Sequence, residues 1–180
     1  LKSCELVVFN RVTDKTDIME LHKIVRGVSR RPDIAYEDIK GDVQYDDIED
    51  PLPFDIEAPI IEIGDENYAI WYRDLSEEMS KYQGKVVKYK AKAVVKKGRL
   101  PSNTFIVGRQ LMTCCVEDIT FAGLICEYIG DPPVKNGEWI TITAKIEIKK
   151  HRAYGKKGPV LTVISTEPAE PPQQEVATFY

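Results

Sequence analysis

From residue 87 onward the chain alternates. Val87, Tyr89, Ala91, Ala93 and Val95 fall on one side, and Lys88, Lys90, Lys92 and Val94 on the other. A period of two with lysines on one side predicts a strand with one buried face and one wet face. The same pattern recurs where Ile140, Ile142, Ala144, Ile146 and Ile148 alternate with Trp139, Thr141, Thr143, Lys145 and Glu147. Between these lie two runs apolar on both faces, Thr104 to about Met112 and Phe121 to Tyr128, as expected of strands in a covered sheet. A fifth run, Pro159 to Ser165, follows a basic loop from Lys149 to Gly158. Five strands separated by turns predict a mainly β (α+β) fold. Its barrel is five-stranded and of the oligonucleotide/oligosaccharide-binding (OB) type, which leaves few open edges. A small sandwich or an open antiparallel sheet is the alternative.

The first third reads differently. Residues 5–9 form a short strand, and Asp17 to Val28 a helix. Thr16 or Asp17 caps it, and Ile18, Leu21, Ile24 and Val25 make its apolar face. Residues 33–66 read as an acidic extended arm broken by Pro51, Pro53 and Pro59, lying on the domain or edging a sheet. The cluster Asp46-Asp47-x-Glu49-Asp50 lacks the glycine and terminal glutamate of a calcium loop and reads as solvated. A helix is expected over residues 73–83, capped by Asp74 or Ser76 and ended by Gly84. The organisation is thus residues 1–66, a strand, helix and acidic arm; 67–172, the barrel; and 173–180, a tail.

Charge adds one feature. The 180 residues carry a net charge of −4, and no apolar run approaches the length that crosses a bilayer. Residues 33–66 hold 13 acidic side chains and one basic, whereas residues 84–158 hold 15 basic and 6 acidic. Either the basic domain faces an anionic partner, or arm and domain neutralise each other.

Chemistry-bearing motifs are few. There is no glycine-rich phosphate loop, no Gly-x-Ser-x-Gly and no His-Glu-x-x-His, so an enzyme has no support. With four cysteines, no Cys-x-x-Cys and two histidines, zinc-finger and three-histidine centres are excluded within one chain. Nothing in the sequence brings Cys115 and His151 together as nucleophile and base. The stretch Arg109 to Asp118 holds a guanidinium, vicinal thiols Cys114 and Cys115, and carboxylates Glu117 and Asp118. Neighbours in a regular strand point oppositely, so the two thiols converge only where the strand ends or bulges. There Asp118 can join them, and Cys126 can come alongside from the next strand. Such a set suits zinc or copper(I), and Arg109 would lower a thiol pKa. Small buried side chains, or a disulfide from Cys126 to one of the pair, stay open. Nucleic-acid binding rests on fold analogy alone, because Tyr89, Phe105, Phe121, Tyr128, Trp139 and Tyr154 read chiefly as packing residues.

Several motifs carry a resemblance. They are Asp65-Glu66-Asn67-Tyr68, Lys81-Tyr82-x-Gly84-Lys85-Val86, Phe105-Ile106-Val107-Gly108-Arg109, Arg109-x4-Cys114-Cys115-x2-Asp118 and Asn136-Gly137-Glu138-Trp139-Ile140. Residues 59–172 resemble the soluble C-terminal domain of the YcgQ-type permease-subunit family of bacteria. The arginine, double cysteine and aspartate spacing is its specific part. The family usually has glycine where Ala91 or Ala93 stands here, and alanine where Glu117 stands. The resemblance implies membrane association, an integral-membrane permease partner and, more loosely, a link to metal handling. The combined expectation is a non-enzymatic module of such a system with a soft-metal or vicinal-thiol corner. An OB-type binder of single-stranded nucleic acid or another polyanion, or a structural interaction module, is the alternative.

Overall fold

The computed structural model describes residues 4–48, 51–95, 100–101, 103–113, 115–130 and 134–179. It divides into two compact units, one up to Pro51 and one over Leu52–Phe179. The fold is mainly β, with sheets of three and seven strands and two α-helices. Residues 52–66, expected in the arm, are therefore part of the second unit.

In the first unit, strand β1 (Leu6–Val12) leads to helix α1 (Ile18–Val28), then to β2 (Asp33–Asp38) and β3 (Val43–Tyr45). β1 and β2 are parallel, and β3 joins β2 antiparallel. Asp17 caps α1, its side chain accepting from the Glu20 amide at 3.0 Å. Val25, Ile34 and Tyr36 form the core, with Val7, Phe9, Val12, Ile18 and Leu21 against it. Ile24, expected on the inner face, is exposed, and His22 is buried in its stead. The reason is a polar clamp. Asp46 accepts from His22 Nδ1 at 2.7 Å and from the Tyr36 hydroxyl at 3.0 Å, and both ionisable side chains are buried. The first half of the expected arm is thus two strands, and Asp46 is a buried acceptor, not a solvated charge. Glu49 and Asp50 lie outside the described residues.

The second unit starts with β4 (Ile61–Ile63) and a single 3-10 turn. Next come α2 (Tyr68–Glu77) and a second 3-10 turn at Met79–Tyr82. Strands β5 (Val86–Val94), β6 (Thr104–Leu111), β7 (Thr120–Glu127), β8 (Trp139–His151), β9 (Lys156–Pro168) and β10 (Val176–Ala177) complete it. Their order is β10-β6-β7-β9-β8-β5-β4, and β5 also pairs with β6. β7 and β9 are parallel, as are β4 with β5 and β10 with β6; the remaining ladders are antiparallel. The tail therefore extends the edge of β6.

The alternation read in β5 and β8 holds: Val87, Tyr89, Ala91, Ala93, Ile140, Ile142, Ala144 and Ile146 are buried. The helix lies earlier than expected. Tyr68, Ala69, Trp71 and Leu75 of α2 enter the same core, and the Trp71 and Tyr89 rings stand 4.7 Å apart. Asp74 is no cap. It lies buried within α2, where it accepts from the Tyr82 hydroxyl and from Lys81 Nζ. Among the described residues no helix is long and apolar enough to cross a membrane.

Candidate functional site

The expected site straddles the turn between β6 and β7. The two strands pair antiparallel from Thr104↔Glu127 to Leu111↔Thr120, so the turn spans residues 112–119. Asp118 organises it: its Oδ1 accepts from the Thr113 amide at 2.9 Å, and its own amide donates to the Cys115 carbonyl at 3.1 Å. Cys115 sits in extended backbone before the 3-10 turn Val116–Asp118, with its thiol exposed and 4.0 Å from Glu117 Oε2. Cys114 lies outside the described residues.

Cys126 does not come alongside. It pairs with Phe105 in a ladder whose turn-end pair is Leu111↔Thr120. The six steps from Thr120 to Cys126 span roughly 20 Å along the strand, at about 3.3 Å each. Its side chain is fully buried, and burial pushes its thiol pKa well up, which makes it an inert apolar filler. Among the described residues no three His, Cys, Asp or Glu side chains are arranged to hold a metal ion. Cys126 thus stands apart from the expected zinc or copper(I) corner of Cys114, Cys115 and Asp118, of which Cys114 is outside the described residues.

Arg109 also has other work. Alternation along β6 turns it inward with Phe105, Val107 and Leu111. Its Nη1 donates to the Asp65 carbonyl at 2.7 Å and its Nη2 to the Gln174 carbonyl. Asp65 Oδ1 lies 3.7 Å from Nη1, and the guanidinium carbon stands 5.4 Å from the Tyr68 ring centroid. Burial lowers its pKa and the Asp65 charge opposes that shift. Arg109 thus ties the 3-10 turn before α2 and the segment before β10 to the sheet.

What the sequence pattern hid is the opposite, outward face. In register across four strands run Trp139, Lys92, Gly108 and Gly123. Lys92 Nζ stands 5.9 Å from the Trp139 ring centroid. The paired glycines make a floor on which no Cβ fits: one built on Gly123 would lie 2.7 Å from the Phe121 ring. Phe121 therefore lies against this floor and is 40% exposed, an aromatic on show where packing was expected. Lys85, just before β5, and the other β5 lysines are neutralised by carboxylates of residues 57–65: Lys85 by Glu57 at 3.0 Å, Lys88 by Glu62 at 3.6 Å and Lys90 by Asp65 at 2.9 Å. Of the two charge readings, mutual neutralisation describes this edge.

No curated protein matches the chain. Residues 42–177 match the model of one family, described as the DUF1980 C-terminal domain.

Proposed function

The chain belongs to the DUF1980 C-terminal domain family, and from the resemblance of residues 59–172 to YcgQ-type permease subunits we propose that it acts without chemistry of its own, as the recognition module of a membrane-associated permease-type system. Its scaffold is an OB-type barrel. The supporting pattern is the cycle of ladders β5–β8–β9–β7–β6 and back to β5, with the β7–β9 pair parallel. Helix α2, placed before the first of these strands, packs Tyr68, Ala69, Trp71 and Leu75 into the core that they share. The working surface is the outward face of β5, β6, β7 and β8. The observation that carries this is Phe121, held partly exposed against Gly123 of the glycine floor, on the face whose cross-strand row continues through Gly108 and Lys92 to Trp139. An exposed aromatic on a rigid, flat support is the type of anchor that recognition surfaces use.

A nucleic-acid track is the weaker alternative on this face, because Lys85, Lys88 and Lys90 already have carboxylate partners. The test places a photo-crosslinking amino acid at position 121 in cells that carry the protein, with position 164, on exposed Ile164, as the comparison. The expected result is an adduct between residue 121 and an integral-membrane protein, absent at 164. A nuclease-sensitive adduct, no adduct, or equal labelling at both positions contradicts the proposal.

A further inference from the structure

The basic loop expected at Lys149 to Gly158 is in fact the free end of a two-stranded ribbon. β8 and β9 pair continuously from Ile140↔Pro168 to His151↔Lys156. The β5 ladder reaches β8 no further than Lys145, and the β7 ladder begins on β9 at Val160. Beyond those points β8 and β9 form a ladder only with each other, and single hydrogen bonds tether its base: Ile146 exchanges backbone bonds with Gly84 and Lys85, and the Ile148 amide donates to Gln83 Oε1 at 2.7 Å. Along one face of the ribbon the cross-strand pairs run from Ile146↔Leu161 through Ile148↔Pro159 to Lys150↔Lys157. Two like charges directly opposite each other cost stability.

The end of the ribbon is held in one shape. The Tyr154 hydroxyl donates to the Pro159 carbonyl at 2.8 Å and accepts from the Ile125 amide of β7 at 3.0 Å. The Tyr154 ring lies over Gly158, where a Cβ would be 2.9 Å from it. His151 Nδ1 accepts from the Ala153 amide at 3.1 Å. The nearby carboxylates are spoken for: Lys149 Nζ holds Glu127 at 2.7 Å and Glu147 at 3.2 Å. Lys150, Arg152, Lys156 and Lys157 are all exposed and have no ion pair among the described residues.

We propose that this ribbon end docks the domain on an anionic lipid bilayer. The shape of the charge selects that partner. Four cations without an ion pair among the described residues, Lys150, Arg152, Lys156 and Lys157, are gathered at one tip, whereas Lys85, Lys88 and Lys90 along the barrel are neutralised and Lys92, Lys135 and Lys145 stand singly elsewhere in the sequence. A polyanionic strand needs a track of cations, whereas a plane of phosphates met end-on needs only a tip. The tip also exposes no aromatic ring for a base to stack on, since Tyr154 is packed down. This surface is separate from the Phe121 face, and the proposal does not depend on that reading.

The test is sedimentation of the whole chain with vesicles of phosphatidylcholine, with and without phosphatidylglycerol, at low and physiological salt. Binding is expected only to the phosphatidylglycerol vesicles, and it weakens as salt rises. Lys150→Ala/Lys157→Ala reduces it about 25-fold, at about fivefold for each cation lost near the surface. Removing a repelling pair does not unfold the ribbon, so an unchanged unfolding midpoint accompanies the loss. Lys85→Ala/Lys88→Ala removes the same charge from paired positions and leaves binding little changed. No binding to phosphatidylglycerol vesicles, equal loss in both double variants, or displacement of the protein from vesicles by a single-stranded oligonucleotide at equal phosphate overturns the proposal.

Discussion

Gly108→Ala is expected to cost ~3 kcal/mol or more, a large share of a domain's net stability of about 5–15 kcal/mol. A methyl built at this position would lie 2.2 Å from the Ala122 carbonyl oxygen and 2.6 Å from the Gly123 Cα. Both are backbone atoms of β7 in the ladder that pairs Gly108 with Gly123. They cannot swing aside as a side chain would, so relief requires that β6 and β7 part. The comparison is Gly84→Ala. Gly84 has φ +78° and nothing within 4 Å of a built Cβ, so it costs only the left-handed backbone penalty of about 1–2 kcal/mol. Urea unfolding of the two variants checks the order. Equal and small losses would mean that the strands are not so close at Gly108.

Arg109→Met is expected to cost about 1.5–3 kcal/mol, because it removes a buried guanidinium that joins the carbonyls of half-buried Asp65 and exposed Gln174. The Asp65 and Gln174 carbonyls lose the guanidinium that joins them. The segment that pairs Val176 with Gln110 and Ala177 with Leu111 is then held less firmly, so early proteolysis near residue 174 accompanies the fall in urea midpoint. The thiols separate this role from the one the sequence suggested. In a Cys4→Ser/Cys114→Ser background, Cys115 reacts with a thiol reagent at once, and Cys126 only on unfolding. Arg109→Met leaves the Cys115 rate unchanged. A marked slowing of Cys115 at unchanged stability would return Arg109 to the thiol.

Much of this was readable where one physical rule dominates. β5 and β8 alternate because one face is core, and the period of two shows it without ambiguity. Asp17 was readable as a cap because its spacing to the Glu20 amide is local. The rest depended on partners distant in sequence. Asp74 looks like a helix cap until Tyr82 and Lys81 are placed on it, after which it belongs to the helix interior. Asp46 looks solvated until His22 and Tyr36 converge on it. β9 runs from Lys156 to Pro168, well past the apolar run at 159–165, because pairing with β8 fixes its polar ends. Phe121 sits in a run apolar on both faces, which conceals which face it takes. Cys126 was drawn toward Cys115 by proximity in sequence. Hairpin register sets it opposite Phe105, and that register follows from the turn geometry that Asp118 fixes.

The recognition face requires that the five ladders close through β5 and β6. Cross-strand nuclear Overhauser contacts test this most directly. Closure predicts a contact between Ala93 and Val107, a second between Cys126 and Leu161, and slow amide exchange along both ladders. A strong Cys126–Leu161 contact with no Ala93–Val107 contact, and fast exchange along β5 and β6, would reveal an open sheet and contradict the barrel.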